Sequence, residues 1–415
     1  MDWKKWLYSA AMGSLLSGTA YSQGVIFHGT GATNRSMAGA STAAPLDASG
    51  ATYWNPAAIA GMKTGEVFVG VDFLYGDTYL HSSVAATGAV GTNRSDSGLS
   101  GAPSFGVVSR PENSSFTYAL GVYGIVGRTI DFPGSEFNPV LKPYDPPNSF
   151  GLGPVSSRSS GLEIAPMMSK QLSKVVAVGW GAQVTSLSLA LDPAFFATRN
   201  PGGLFPPATQ GRSYWGGGYQ AGVLLTPNEV WSFGASLKSR QWFENFDYHS
   251  KDEKGRARDL SLDLEFPWVL SFGAAYRGYQ NTVVAVDLRY LNYSGAKLFG
   301  DAPEAGGLGW ESIWALAVGF QRKVNDMVKV QGGFSMNGNP IPDTATLLNI
   351  QLPAINKFAI SGGATIALTE KVDIVGGVVY GLSNTNRGTI LQIPGTLVEL
   401  KQDLATFSLG FAFRI

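Results

Sequence analysis

Apolar residues alternate with small or polar residues over most of the chain beyond residue 64. In TGEVFVGVDFLYG (64–76), one face carries Val67, Val69, Val71, Phe73 and Tyr75, and the other carries Phe68, Gly70, Asp72 and Leu74. A period of two predicts β-strands, because successive side chains of a strand point to opposite faces. The pattern recurs as far as the C-terminal TFSLGFAFRI (406–415).

Fourteen segments show this alternation, and many of them are about ten residues long or longer. They lie near 64–75, 101–110, 115–127, 159–171, 174–188, 211–225, 229–243, 259–276, 280–292, 310–322, 327–336, 357–367, 371–382 and 405–415. A strand that crosses a bilayer needs about 9–11 residues, whereas strands of soluble sheets usually have about five or six.

The connections between these segments alternate between long and short. The long ones are 76–100, 128–158, 189–210, 244–258, 293–309, 337–356 and 383–404. Short periplasmic turns and long external loops are typical of an up-and-down antiparallel barrel in the bacterial outer membrane. The sequence therefore predicts an all-β transmembrane barrel of about 14 strands, closed because an open edge cannot be satisfied in lipid.

Composition narrows the class further. Charged residues make up 14% of the chain and the net charge is zero, whereas soluble domains carry about 25% charged residues. A large soluble β-sandwich remains the alternative to the barrel. The neutral balance argues against nucleic acid as a partner.

The sequence contains no motif typical of a catalytic site, a metal site or a cofactor site. The chain has no cysteine, and His28, His81 and His249 are far apart with no metal-ligand spacing. No nucleophile elbow stands near a histidine base. We therefore expect no enzymatic activity, no metal and no cofactor.

The N-terminus divides into two parts before the first strand. Residues 1–22 have two lysines, a short apolar core and small residues before Gln23, which predicts a signal peptide. Residues 23–62 are too polar and glycine-rich for a strand. A barrel of this width leaves a lumen, so we expect residues 23–62 to fill it and residues 63–415 to form the barrel.

The stretch ATYWNPAAIAGM (51–62) has the pattern of a turn followed by a short helix. Asn55 suits the helix N-cap and Pro56 the first helical position, while Ala57 begins a helix-favouring run that Gly61 can end.

The segment GTGATNRSMAGASTAAPLDASGATYWNPAAIAGM (29–62) resembles the start of the FadL-type outer-membrane transporters of long-chain fatty acids and aromatic hydrocarbons. The residues that match in order are Gly39, Ala40, Asp47, Asn55, Pro56 and Ala57. Residues 337–364 resemble the Asn-Pro-Ile-Pro loop of that family. VAVDLRYLNYSGAK and GWESIWALAVGF resemble two of its late strands.

This resemblance implies a barrel plugged by an N-terminal hatch, with passive uptake of hydrophobic molecules. An external apolar groove would catch the solute, an internal pocket would hold it, and a hatch shift or a lateral gap would release it. Asp47 and Asn55–Ala57 are then the hatch and gating candidates. Gly121, Gly124 and Gly127 lie in the third strand, where the family has an inward kink; the alternative is that small residues there face a crowded hatch.

Two long connections carry the apolar residues that such a groove requires. The groove candidates are Phe195, Phe196, Leu204 and Phe205 in the third loop and Leu347, Leu348 and Ile350 in the sixth. Packing of the loops against themselves is an equally good explanation.

Few charges are expected in the lumen. Asp287 and Arg289 share one face of a strand and can pair with each other or with the hatch. A carboxylate substrate would need a cation in the pocket, and Arg289, Arg240 and Lys357 are the candidates. A neutral hydrocarbon needs none.

The sequence therefore predicts a monomeric outer-membrane channel whose partners are a hydrophobic small molecule and the surrounding lipid and lipopolysaccharide. The alternatives are a general porin and a surface adhesin, neither of which takes up hydrophobic solutes.

Overall fold

A computed structural model describes residues 23–415, in which one closed antiparallel β-barrel surrounds an N-terminal segment. The signal peptide expected at residues 1–22 lies outside the described residues. The helices are α1 (Ala32–Ser36) and α2 (Ala48–Trp54), and short 3₁₀ turns are Ala58–Gly61, Tyr293–Gly295, Pro303–Ala305, Asp343–Ala345, Leu347–Asn349 and Ile390–Gln392. The strands are β1 (Glu66–Val84), β2 (Ala89–Arg94), β3 (Leu99–Ser109), β4 (Phe116–Phe132), β5 (Tyr144–Asp145), β6 (Ser149–Phe150), β7 (Val155–Gln171), β8 (Val176–Asp192), β9 (Tyr214–Leu225), β10 (Trp231–Lys238), β11 (Gln241–Phe243), β12 (Phe246–Lys251), β13 (Ala257–Leu262), β14 (Glu265–Phe266), β15 (Val269–Tyr276), β16 (Thr282–Leu291), β17 (Ile313–Lys323), β18 (Val328–Asn337), β19 (Phe358–Ala367), β20 (Val372–Gly388) and β21 (Thr396–Arg414).

Seventeen of these segments form one sheet. They make 14 wall strands, because β2 with β3, β10 with β11, and β14 with β15 each continue one strand across a break. The barrel closes where β1 pairs with β21, from Glu66 opposite Arg414 to Val84 opposite Thr396. The predicted fold class and strand number are confirmed.

The two faces of the wall differ in the way a membrane barrel requires. In β21 the outward residues Phe407, Leu409, Phe411 and Phe413 are 38–53% exposed. The residues between them, Thr406, Ser408, Gly410 and Ala412, are buried. An apolar outer face and a small or polar inner face suit lipid outside and a filled lumen inside.

Aromatic side chains cluster on the outside at both ends of the barrel. Near the short turns, Trp231 lies 4.7 Å from Tyr276, which lies 5.2 Å from Tyr279. Near the long connections, Tyr290 lies 5.0 Å from Trp314. Such girdles stand at the two membrane–water interfaces.

The predicted boundaries were wrong mainly on the side of the long connections. Residues 76–84 and 89–94, expected in a loop, form a hairpin that prolongs the wall strands of β1 and β3. The last strand begins at Thr396 rather than 405, and the charged fourth connection folds as the β12–β13 hairpin. These extensions are polar, because they rise beyond the apolar belt, so the membrane-based pattern does not reveal them.

The N-terminal segment (residues 23–62) lies inside the barrel. It contacts wall strands on all sides, and its helices α1 and α2 are completely buried. Glycines on the inner wall permit backbone-level contact. A Cβ at Gly179 would stand 2.3 Å from the Pro56 carbonyl carbon, and one at Gly319 would stand 2.4 Å from the Met37 carbonyl oxygen. Glycine is therefore required at these two points, where the backbone of the segment touches the wall.

The helical stretch of this segment differs from the expectation. Residues 51–54, expected in a turn, end the α-helix α2, and the run after Pro56 forms a 3₁₀ turn, Ala58–Gly61. Asp47 rather than Asn55 caps the α-helix. No helix formed by residues 23–415 is both long and apolar enough to cross a bilayer.

Candidate functional site

A buried carboxylate on the barrel wall holds the N-terminal segment. Asp287 Oδ2 accepts hydrogen bonds from the backbone N–H groups of Ser41 and Thr42 at 2.9 and 3.0 Å, and from Thr42 Oγ1 at 2.8 Å. Arg289 Nη2 donates to the same Asp287 oxygen at 2.6 Å and to the Gly39 carbonyl at 2.5 Å. The two charges that share a strand face thus pair with each other and with the segment.

A second set of polar contacts lies on the opposite side of the segment. Arg35 Nε donates to Asp72 Oδ2 at 2.8 Å, and both side chains are buried. Asp47 Oδ1 accepts from Gly50 N at 2.8 Å at the start of α2, while Glu66 Oε1 accepts from Ala48 N at 2.8 Å. Burial raises the pKa of Asp47 because desolvation disfavours its charged form.

Asn55 links the segment to itself and to the wall. Its Nδ2 donates to the Thr42 carbonyl at 2.8 Å and to the Val223 carbonyl of β9 at 3.1 Å. Its Oδ1 accepts from Ala57 N at 3.0 Å across Pro56. One side chain therefore closes a turn and fastens that turn to the barrel.

An apolar cavity of about 80 Å³ lies among the long connections; we call it the loop-side cavity. Its lining includes Phe195 and Phe196 from the third loop, Phe299 from the fifth, and Leu348 and Leu352 from the sixth. The structure thus brings together Phe195, Phe196 and Leu348 of the groove candidates.

The remaining groove candidates lie elsewhere. Leu204 is 36% exposed at the tip of the third loop, and Phe205 packs edge-on against Phe195 at 5.4 Å. Leu347 and Ile350 are buried in the loop core. None of these four lines the described cavities formed by residues 23–415.

The wall is interrupted between β3 and β4. Their ladder runs only from Ser104–Tyr123 to Ser109–Tyr118. Beyond it, within the described part of the chain, the strands meet again where Asp96 N donates to the Asp131 carbonyl at 2.7 Å. Between these points, residues 99–103 and 124–130 lie side by side without a β-ladder; we call this break in the pairing the gap.

The three candidate glycines lie on β4 around this gap. Gly121 is within the ladder, opposite Gly106, and Gly124 is at a bulge that shifts the register with β7 between Gly124 and Val126. A Cβ at Gly124 would be 2.7 Å from the Ala102 Cβ, whereas one at Gly127 would be 3.9 Å from the Ser100 Cβ. A side chain at Gly127 would thus fit in ordinary van der Waals contact with Gly101 and Ser100.

A second cavity, of about 70 Å³, adjoins the gap; we call it the wall-side cavity. Its lining includes Ser100 of β3 and Gly127 and Thr129 of β4. It shares part of its lining with the loop-side cavity. The shared residues are Val25, Val126, Arg128, Ser159 and Leu352.

The first described residues stand between these cavities. Val25 lines both of them and also a third, smaller cavity beside Lys238. The Tyr293 hydroxyl accepts from Val25 N at 3.0 Å and donates to the Gln23 carbonyl at 2.5 Å. Tyr293 therefore holds the start of the N-terminal segment at the junction.

The cations that were expected in a pocket are placed differently. Arg289 forms an ion pair with Asp287, and Arg240 Nη1 lies 3.0 Å from Glu265 Oε2. Lys357 is half-buried directly before β19, and its carbonyl accepts from Asn337 N at 2.8 Å. Lys238 lies 3.7 Å from Glu163.

Arg128 was missed, although it lines both apolar cavities. Before the bulge, even positions of β4 such as Tyr118 face outward. Beyond it, Ile130 and Phe132 are fully buried, and Arg128 shares their face. One inserted residue exchanges the two faces of a strand, so a strict period of two assigns Arg128 to the wrong side.

No group of three or more His, Asp or Glu side chains that could hold a metal ion occurs within residues 23–415.

Comparisons with known proteins agree with this geometry. Residues 208–390 match the family model described as outer membrane protein transport protein (OMPP1/FadL/TodX). No curated protein matches the chain significantly in sequence.

Solved structures share the whole architecture. The Pseudomonas putida toluene transporter TodX has a TM-score of 0.69 at 16% identity, with 94% of this chain and 99% of that chain covered. A Pseudomonas aeruginosa FadL homologue gives 0.69 at 14%, covering 96% and 100%. The Ralstonia pickettii toluene transporter TbuX gives 0.67 at 16%, covering 94% and 99%.

These identities are low, so the structural likeness establishes the fold, while the family model supplies a sequence relationship for residues 208–390. Taken with the lipid-facing belt of the barrel, they show an outer-membrane β-barrel with the fold of the FadL/TodX channels, in which residues 208–390 also match the sequence model of that family.

Proposed function

We propose that this protein is a passive channel for hydrophobic small molecules, which enter among the long loops and leave through the gap between β3 and β4. The observation that carries the proposal is the adjacency of two apolar cavities. One is lined by loop residues such as Phe196 and Leu348, the other borders the gap, and they share Arg128 and Leu352.

Capture would use the apolar loop residues. Phe195, Phe196 and Leu348 present large apolar surfaces to one cavity, and burial of a solute there gains about 25 cal/mol per Å² of apolar area. Toluene transport by the relatives TodX and TbuX makes monoaromatic hydrocarbons the first solutes to test, with long-chain fatty acids second.

Passage between the cavities would need movement of the first residues of the N-terminal segment. Val25 borders both cavities, and the segment is held there by Tyr293. A shift of residues 23–26 would widen the junction while Asp287 and Asn55 keep the rest of the segment in place. Residues 23–62 thus act as the hatch of this channel.

Exit would be lateral, into the membrane. Gly127 borders the gap, and the bulge at Gly124 and Val126 turns β4 away from its ladder with β3. Lipid and lipopolysaccharide are then the surroundings that receive the solute. One chain suffices as a monomer, because β1 closes against β21.

The test combines binding, uptake and conductance. The full-length protein should bind labelled toluene or a labelled fatty acid and should support its uptake by cells that lack other hydrophobic-solute channels. In planar bilayers it should give small, irregular currents, because the lumen is filled. A large, steady conductance without solute binding would favour a general porin and overturn the proposal. An adhesin would show neither.

A further inference from the structure

We infer that a polar groove on the outer wall of the barrel, centred on Arg158 of β7, binds the phosphorylated sugar headgroup of lipopolysaccharide in the outer leaflet. The groove has a volume of about 230 Å³ and lies across β4, β7 and β8; we call it the outer groove. The inference goes beyond solute uptake, because it concerns the face of the wall that meets the membrane.

The central row of the outer groove crosses three adjacent strands. Thr129 of β4 lies opposite Arg158, and Arg158 lies opposite Ala190 of β8. Arg158 is exposed, whereas Ile130, the next residue after Thr129, is fully buried. Because successive side chains of a strand point to opposite faces, this row faces outward.

The next row outward from the membrane carries two carboxylates. Asp131 lies opposite Ser156, and Ser156 lies opposite Asp192. Both aspartates are exposed. Thr209 of the third long connection also lines the outer groove. The groove therefore combines one cation with two carboxylates and several hydroxyl groups.

The outer groove lies beyond the apolar belt. Leu162 is level with Trp215, because both lie opposite Ser186, and Trp215 is 56% exposed, as expected of an aromatic residue at the membrane interface. Arg158 follows four residues farther out, about 13 Å along a strand and about 10 Å along the membrane normal at a tilt of about 40°. That is the depth of lipid headgroups rather than of acyl chains.

Arg158 has a charge that no other side chain neutralises. It takes part in none of the ion pairs formed within residues 23–415. By contrast, two other arginines at the same end of the barrel are paired, Arg94 with Asp77 and Arg387 with Glu399. A guanidinium binds phosphate through two parallel hydrogen bonds, and basic sites at headgroup depth are typical of lipid recognition.

The two carboxylates select the kind of anion. Asp131 and Asp192 would repel a small diffusing phosphate, whereas both accept hydrogen bonds from sugar hydroxyls. A phosphorylated sugar satisfies the whole groove, with its phosphate at Arg158 and its hydroxyls at the aspartates. The headgroup of lipopolysaccharide has this chemistry, and the headgroup of a glycerophospholipid lacks the sugar.

The outer groove also borders the gap between β3 and β4. Thr129 lines both the outer groove and the wall-side cavity. The Asp131 carbonyl accepts from Asp96 N where the two strands meet again beyond the gap. A headgroup bound at Arg158 would therefore hold one lipid beside the outer end of the gap.

The test measures lipid binding to the full-length protein in detergent by native mass spectrometry. The probes are bisphosphorylated lipid A, lipid A without its phosphates, and phosphatidylglycerol, an anionic lipid without a sugar. Wild type should bind bisphosphorylated lipid A about 10- to 100-fold more tightly than the phosphate-free form, the range for hydrogen bonds to a charged group. Equally tight binding of phosphatidylglycerol would contradict a site for a sugar headgroup.

The variant Arg158→Gln should remove the preference for the phosphorylated lipid. Arg387→Gln is the matched control, because it makes the same charge change at an exposed arginine that is already paired with Glu399, and it should bind like wild type. Ala190→Trp should also weaken binding, since a large ring opposite Arg158 would fill the groove without changing the charge.

Three results would overturn the inference: no phosphate preference in wild type, a preference that survives Arg158→Gln, or an equal loss in Arg387→Gln. Displacement of lipid A by low millimolar inorganic phosphate would show a site for a free anion and would also contradict it. If Arg158→Gln does not assemble, the wild-type comparison and Ala190→Trp still decide. Solute uptake is measured separately, so failure of lipid binding leaves the proposed function standing.

Discussion

Asp287 on β16 accepts three hydrogen bonds from Ser41 and Thr42, of which the Thr42 hydroxyl contributes one at 2.8 Å. A single wall carboxylate thereby fastens the bend between α1 and α2 to the barrel. It also neutralises Arg289, which stacks over the Trp54 ring at 3.9 Å. The N-terminal segment is thus held by charge as well as by shape.

The variant Asp287→Asn should loosen the segment. It leaves Arg289 buried without its carboxylate, and breaking a buried pair costs about 3–5 kcal/mol. Because the ladder that closes the barrel is untouched, we expect the barrel to assemble but to leak, with larger and more frequent currents in planar bilayers. Asp326→Asn is the control, since Asp326 is 98% exposed in a short turn. Unchanged currents in Asp287→Asn would show that this anchor does not keep the lumen closed.

Asn55→Ala tests whether the turn at Asn55 only fastens the segment or takes part in gating. It removes two donor contacts and one acceptor contact, a local cost of about 1–3 kcal/mol. We expect altered uptake with an unchanged unfolding temperature of the barrel.

Asn228→Ala is the matched control for that variant. Asn228 Oδ1 accepts from Val230 N and Trp231 N at 3.0 and 2.8 Å in a short turn, so its loss removes a similar turn contact away from the segment. Wild-type uptake and conductance in Asn55→Ala would rule out a gating role.

Phe196→Ala should weaken solute binding in the loop-side cavity. Phe196 is half-buried at the cavity, and loss of an aromatic side chain that a bound ligand would cover forfeits about 1.5–3 kcal/mol of apolar burial, which corresponds to about 10- to 150-fold in affinity. Leu204→Ala, in the same loop but outside the cavity, should bind normally. The measurement is equilibrium binding of labelled solute, and equal affinities for the two variants would contradict the cavity as the binding site.

The strand number and the existence of a lumen-filling segment follow from patterns that the membrane imposes, which is why residues such as Phe407 and Phe411 revealed the barrel. The polar extension at 76–94 did not, because its outer face lies beyond the apolar belt and its buried face includes the polar residues Thr78 and Ser82. The pairing of Asp287 with Arg289 was accessible from their spacing on one strand.

The position of the Arg128 side chain in the lumen could not be predicted from the spacing of residues along one strand. Its direction depends on the bulge at Gly124 and Val126, and bulges are set by tertiary contacts that a periodicity does not record. Glycines at 121, 124 and 127 pointed to the region without specifying where the ladder stops. Likewise, Phe195 and Phe205 look equivalent in sequence, and only the folded loop decides that Phe195 lines the cavity.

The most direct test of the account is to close the gap reversibly and measure uptake. The chain has no cysteine, and a Cβ at Gly127 would lie 3.9 Å from the Ser100 Cβ, within the range that a disulfide spans. In the double variant Ser100→Cys/Gly127→Cys, uptake of labelled hydrophobic solute should be lost on oxidation and should return on reduction, while each single variant stays active in both states. Undiminished uptake in the fully oxidised double variant would contradict a lateral route through this gap.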